Sequence, residues 1–161
     1  MAYICLDTDD EFHLYWQIDR YNLRDGAKLK LKDGTNIKAN FLNAGATGRA
    51  KIEIVDWDED GVKDLLVGTP RHGSIPEPDE GLPYHTQNNG SAIIFLKNSG
   101  TESHPIFEYP VMLKYNGKKI NLGQHSCAPA TGFIGSGNTL NLIVGDETGR
   151  YIFFDRKDLD W

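Results

Sequence analysis

The chain has 161 residues, 39% of them hydrophobic, 25% charged and 11% aromatic, with a formal net charge of −6. That length fits one domain, and the acidic balance leaves no basic stripe to neutralise phosphates, so nucleic acid is excluded as an electrostatic partner. No apolar run approaches the roughly 18 residues of a membrane span, the opening MAYICLDTDDEF has neither the basic start nor the apolar core of a signal peptide, and the two cysteines, Cys5 and Cys127, make no disulfide framework.

Residues 4–16, ICLDTDDEFHLYW, run from an apolar stretch through a turn into alternating apolar and polar positions, the pattern of a β-hairpin. The acidic stretch 7–11 reads as a solvated hairpin tip, and KLKL at 28–31 as a further strand. After the connection NAGATGRA (43–50), KIEIVD (51–56) and DLLVG (64–68) pair across a tight loop. SAIIFLKN (91–98) is a third strand, and FEYPVMLKY (107–115) a fourth that Pro110 confines to a sheet edge. The segment NLGQHSCAPA (121–130) then leads into a last group of strands.

These pieces are copies of one another. LLVGT (65–69) lies over LIVGD (142–146) at an offset of 77, GSAIIFLKN (90–98) over GRYIFFDRK (149–157) at an offset of 59, and 4–16 over 142–154 without gaps. Four antiparallel strands in a repeat of several tens of residues is the signature of a propeller blade. With strands a to d counted outward from the axis, the sequence predicts an all-β partial β-propeller, a single fragment over 1–161. Its parts are a partial blade at 1–42 (strands b–d), a full blade at 43–120 and a partial final blade at 121–161 (strands a–c). Closure takes at least four blades. About two and a half should stay open, to be covered by missing blades of a parent propeller or by self-association through the open edges.

The sharpest motif is Asp56-Trp-Asp58-Glu-Asp60-Gly61-Val62-Lys-Asp64. Carboxylates at positions 1, 3, 5 and 9, with the Val62 carbonyl at 7 and Gly61 for the sharp turn, can wrap one hard cation, and six or seven oxygens suit calcium. An EF-hand would need Glu at position 12, where Val67 stands. The plain alternative is a solvated acidic turn, but four Asp within nine residues repel one another unless neutralised.

The two offsets differ by 18 residues, which places an insertion, TPRHGSIPEPDEGLPYHTQNN (69–89), between strands b and c of the middle blade. Long loops of this kind are usually functional or disordered. In an up-and-down blade the b–c and d–a connections share one rim, so Arg49, Arg71, His72, Tyr84, His85, His125 and Cys127 are predicted to gather there, with the acidic loop on the opposite rim. Taken singly, each histidine reads more readily as a surface hydrogen-bonder than as a catalyst, and Cys127 equally as a small buried residue.

The stretch KIEIVDWDEDGVKDLLVGT, followed by GSAIIFLKNSGTESHPIFE, resembles the FG-GAP/VCBS type of calcium-loop propeller blade. The resemblance implies that the Asp loop joins strands a and b. The last copy departs from it: Phe133, Gly135, Gly137 and Asn141 replace the four Asp, and no calcium is expected there. The phrases GRAKI…VDWDEDG…DLLVGT and LGQHSCAPA further resemble propeller polysaccharide lyases of the ulvan-lyase and rhamnose–glucuronate-lyase types. That likeness implies an anionic polysaccharide, a uronan, cut by β-elimination, and a secreted or periplasmic parent.

The chemistry asks for a cation on the sugar carboxylate, for which Arg49 or Arg71 fits. It also asks for a base at C5 (His72, His85 or His125) and an acid for the leaving oxygen, for which Tyr84 fits. Because some relatives carry structural zinc, His125 and Cys127 also read as half of a Zn²⁺ site that His72 or His85 could complete. FG-GAP/VCBS blades equally build adhesin-like propellers that bind glycan or protein without reacting, and fold does not choose between the two. With blades missing, the 161-residue chain alone is expected to turn over little substrate.

Overall fold

The computed structural model describes residues 1–39, 49–71, 74–76, 85–87, 90–122, 125–135 and 138–161, with backbone alone for 74–76 and 85–87. Its described residues form an all-β structure of several antiparallel sheets, none closed on itself, and contain no α-helix.

Strands β1 (Ala2–Leu6), β2 (Phe12–Gln17) and β3 (Leu23–Lys28) make sheet 1 in sequence order. Sheet 2 is built from β4 (Lys51–Val55) and β5 (Asp64–Gly68). After a small hairpin of β6 (Ser74–Pro76) with β7 (His85–Gln87), it is completed by β8 (Ile93–Leu96) and β9 (Val111–Met112), in the order β4-β5-β8-β9. Two-residue strands β10 (Lys114–Tyr115) and β11 (Lys118–Lys119) follow. Sheet 3 is β12 (Cys127–Phe133), β13 (Leu140–Asp146) and β14 (Tyr151–Phe154), after which a single 3₁₀ turn at Arg156–Asp158 brings β15 (Leu159–Asp160) back to pair with β10.

The apolar pattern explains the stacking. All residues of β5 and β8 are buried. Continuous burial of this kind marks strands covered on both faces. Leu65, Val67, Ile94 and Leu96 point to one side, where they meet Phe12, Leu14, Leu29 and Leu31 around sheet 1. Leu66, Ile93 and Phe95 point to the other, where they meet Cys127, Leu142, Val144 and Phe154 of sheet 3. Sheet 2 is therefore the filling between two sheets. Sheets 2 and 3 approach most closely at Gly68, where any β-carbon would overlap the Cys127 backbone, and Glu53 accepts from both the backbone N–H (3.2 Å) and the hydroxyl (2.8 Å) of Thr131.

Register corrects the sequence alignment by one residue. Leu65 pairs with Leu96 where Leu142 pairs with Phe154, so β8 maps onto β14 at an offset of 58, not 59. Likewise the turn at 7–11 is the same turn as 146–150: Asp7 N–H donates to the Glu11 carbonyl (2.9 Å) as Asp146 N–H does to that of Arg150 (3.0 Å). Asp10 and Gly149 share a positive φ in these turns, 61° and 83°. The ungapped match of 4–16 with 142–154 is thus also one residue out. A one-residue slip exchanges the two faces of a strand, so the correction decides which side chains are equivalent.

Three further expectations move. KLKL does not form the third strand, which is Leu23–Lys28. Leu29 and Leu31 are buried as the alternation demands, but Leu31 bridges Phe107 beside sheet 2. The insertion after β5 has its own hairpin, β6–β7, closed at its base by Gly90 N–H donating to the Arg71 carbonyl (2.9 Å). The segment after β14 crosses back over the boundary drawn at residue 121, because β15 pairs with β10.

Candidate functional site

Because β4 and β5 are antiparallel, the loop at 56–63 and the Gly68–Arg71 stretch lie at opposite ends of sheet 2. Each end carries one of the groups singled out in the sequence.

At the first end Asp56, Asp58 and Asp64 bring carboxylate oxygens within 4.8 Å of one another. The loop organises itself: Asp56 Oδ2 accepts from Gly61 N–H (3.0 Å), Asp58 Oδ1 from Asp60 N–H (3.3 Å), and Asp60 Oδ1 from Val62 N–H (3.0 Å). Gly61 holds φ at 92°, which only glycine adopts at no steric cost. Asp64 is fully buried and accepts from Trp57 N–H (3.0 Å) and Asn98 N–H (2.8 Å). Burial pushes its carboxyl above the ordinary range. Asp56 Oδ1 is buried with no hydrogen-bond partner.

Sequence reasoning missed Lys97, whose ammonium pairs with Asp58 and, at 2.7 Å, with Asp60. That contact holds the Asp60 carboxyl below its usual value and raises the lysine. The last copy keeps one element of this arrangement. Asn141 Oδ1 accepts from Arg156 N–H (3.0 Å) as Asp64 accepts from Asn98, so position 141 retains the packing role without the charge.

The same loop is clasped from sheet 3. Arg156 stacks on Trp57 (3.9 Å from guanidinium carbon to ring centroid) and on Trp161 (4.5 Å), and its Nη2 donates to the Trp57 carbonyl. Desolvation lowers the Arg156 pKa.

At the second end Pro70 bridges Ser126, which sets Arg71 opposite His125. His125 is exposed, and its Nδ1 lies 3.0 Å from Glu147 Oε1, an oxygen that also accepts the His125 backbone N–H (3.0 Å). Arg71 is half-buried, and its Nε is buried without a partner. Arg49 is exposed two residues before β4, whose Lys51 pairs with Gly68, and so belongs to this end too. Cys127 is a core residue: its thiol donates to the Ala92 carbonyl (3.4 Å), and burial pushes it up to about 11. His72 and Tyr84 lie outside the described residues, and His85 is described by its backbone alone, in β7. Glu147 had no signal in the sequence beyond its place in a turn.

The hairpin tip at 7–11 is more organised than a solvated turn. Asp7, Asp9 and Glu11 converge within 4.8 Å, and Lys28 Nζ sits among them at 3.3, 2.7 and 2.6 Å. Burial opposes ionisation of Asp7, yet the Glu11 and Asp9 N–H groups, His13 and Lys28 together hold its carboxyl down at about 2. Here the cation is already a lysine.

No family model matches the chain, and no curated protein or solved structure matches it either.

Proposed function

We propose that the three stacked sheets are neighbouring blades of a calcium-loop propeller of the FG-GAP/VCBS type, and that the rim carrying Arg71 and His125 cleaves a uronic-acid glycan by β-elimination. The observation behind the chemistry is the Glu147–His125 pair, beside which the Pro70–Ser126 bridge brings the Arg71 backbone. A carboxylate on Nδ1 fixes the tautomer that leaves Nε2 free as a base, and Arg71 opposite it offers a fork that matches a sugar carboxylate.

In that reading Arg71, with Arg49 on the same rim, binds the uronate carboxylate and steadies the negative charge that develops when C5 loses its proton. His125 Nε2 takes that proton. The C5–H electrons form the C4–C5 double bond, the C4–O4 bond breaks, and O4 leaves with a proton from an acid, the role assigned to Tyr84. His72 and His85 remain alternative bases on the insertion. The core position of Cys127 speaks against pairing it with His125 on zinc, since its thiol is buried and donates to the Ala92 carbonyl while the His125 ring is exposed and turned to Glu147.

Asp56, Asp58 and Asp64 would hold the calcium, with Asp60 and the Val62 carbonyl completing the oxygen set. The buried, unpartnered Asp56 Oδ1 supports this fit, because a hard cation would satisfy it. Bound there, the ion supplies structure, neutralising the loop that links β4 to β5 on the rim away from the chemistry.

A second reading is a propeller that holds glycan or protein without reacting, in the manner of an adhesin. The exposure of His125, 59% of its side chain, favours it, since elimination profits from excluded water. Incubation with glucuronate-containing polysaccharides separates the two. A rise in absorbance near 235 nm, where an unsaturated uronate absorbs (the ~235 nm band follows from C5 proton abstraction), supports the lyase. Binding with no rise at high protein concentration supports the second reading, and neither signal sinks both. A parent working on such a polymer would be secreted or periplasmic.

A further inference from the structure

The corrected register makes corresponding faces of the three sheets comparable. Leu66, Ile93 and Phe95 of sheet 2 correspond to Ile143, Tyr151 and Phe153 of sheet 3, and Ile4, Phe12 and Leu14 of sheet 1 correspond to the same three. In sheet 1 this face is packed into the core shared with sheet 2, and in sheet 2 into the core shared with sheet 3. In sheet 3 it is bare: Tyr151 is 84% exposed and Phe153 48%.

Sheet 1 has the opposite deficit. Its Tyr3, Cys5, His13 and Tyr15 correspond to Leu142, Val144, Ile152 and Phe154, which in sheet 3 lie in or against the core shared with sheet 2. Their counterparts in sheet 2, Leu65, Val67, Ile94 and Leu96, pack towards sheet 1. In sheet 1 Tyr3 and Cys5 are exposed, while His13 and Tyr15 stack on each other at 4.6 Å.

We propose that the bare face of sheet 3 seats the bare face of sheet 1 from a second copy of this chain, so that two copies close a ring of six sheets. The contact continues the packing that already joins sheets 1 and 2 and sheets 2 and 3 within one copy. Each copy offers both faces, so two such seams related by a twofold axis form together, and a closed arrangement of this kind leaves neither face open. The residues suit the role: Tyr151 and Phe153 meet Tyr3 and Tyr15, an aromatic composition typical of interface cores. The charge on this face of sheet 1 is paired within the sheet, His13 lying between Asp7 and Asp25 beside Tyr15. The inference rests on reading the sheets as radial blades, and is independent of the calcium and glycan readings.

Sedimentation velocity on the 161-residue chain across about 1–100 μM, a range that spans ordinary homodimer affinities, should show one discrete dimer. Phe153→Glu and Tyr3→Glu should each weaken association by about thirtyfold or more, the loss expected for an interface anchor. An equimolar mixture of the two variants should recover a 1:1 dimer through the single intact seam. Tyr151→Glu, at a side chain too exposed to support the monomer fold, checks that any loss is not unfolding, and should behave as Phe153→Glu does. A monomer throughout the range, a ladder of open-ended oligomers, or a dimer indifferent to all three substitutions would overturn the proposal. Failure of the 235 nm assay alone would leave it standing, since that readout (~235 nm, from C5 proton abstraction) reports only the rim.

Discussion

Gly68 and Cys127 touch backbone to backbone: a β-carbon at position 68 would overlap the Cys127 carbonyl oxygen and press on the Pro129 ring. The obstacle is main chain on a buried strand, which cannot rotate away. Gly68→Ala should therefore force sheets 2 and 3 apart and destabilise the chain by about 2 kcal/mol or more, towards the upper part of the usual cost of overpacking. Urea unfolding reads this directly. An unchanged midpoint would mean that the two sheets are not held at this spacing.

The strands of sheet 2 were legible because sequence and burial agree there. DLLVG and IIFL are apolar without interruption, and they form the twice-covered strands β5 and β8. The Asp loop was legible for a related reason, as side-chain spacing within one turn needs no tertiary knowledge. What could not be read lies between elements. The register slip at β8 and β14 arises because the connections before them differ in length, and sequence similarity alone places them one residue out. Lys97 sits in a different strand region from the loop it neutralises, so nothing local announces the pair. Glu147 is an ordinary turn residue until the fold carries His125 to it. KLKL alternates as a strand should, but its leucines are drawn towards Phe107.

Lys97 competes with any cation for Asp58 and Asp60. Lys97→Met removes the ammonium and leaves the acidic side chains facing one another. Calcium affinity should then rise by about tenfold or more, because a unit charge within roughly 4 Å is worth on the order of several kcal/mol at intermediate dielectric. Without calcium the variant should be less stable than the parent chain, and with millimolar calcium more stable. Calorimetric titration and thermal melts with and without chelator test both halves. A variant that shows neither calcium binding nor loss of stability in chelator would remove the loop from consideration as a metal site.

Arg156 joins the acidic loop to the end of the chain by stacking between Trp57 and Trp161 while its Nη2 bonds the Trp57 carbonyl. Arg156→Ala should cost about 2–3 kcal/mol, from two lost cation–π contacts and a buried carbonyl left without its donor. Arg156→Lys should recover little of this, since an ammonium cannot stack flat on two rings and bond the carbonyl as well. Tryptophan fluorescence should change in both variants before any global unfolding.

His13 lies between Asp25 (2.6 Å from Nε2) and Asp7 (3.3 Å from Nδ1), and Lys28, its cross-strand partner, also reaches Asp7 (3.3 Å). The hydrogen bond to Asp25 raises its pKa above 6.5 against the opposing effect of burial, and Asp7 adds to the rise. A raised histidine contributes stability that is fully present below about pH 6.5, its unfolded value, and lost as pH climbs through the folded value. The carboxyls run the other way. Asp7, held at about 2 against an ordinary 3.8, contributes above that ordinary value and loses its contribution as pH falls towards 2. Chemical unfolding at about pH 5.5 and pH 8 should show a drop that His13→Gln abolishes. Equal drops in both chains would place the pH sensitivity elsewhere.

The rim reading makes unequal demands on Arg71 and His125, and kinetics can separate them. Arg71 binds the carboxylate before and during reaction, so Arg71→Ala should raise KM more than it lowers kcat. His125 acts on the proton in flight, so His125→Ala should lower kcat by about a hundredfold or more and leave KM nearly unchanged, the scale of a lost general base. Glu147 touches no substrate in this scheme. It positions the ring through Nδ1, so Glu147→Gln, which keeps an acceptor there, should retain most of the activity that Glu147→Ala loses. If Glu147→Ala is silent while His125→Ala is not, the histidine works without its carboxylate. If both are silent and Arg71→Ala still weakens glycan capture, the rim holds its ligand and does no chemistry on it.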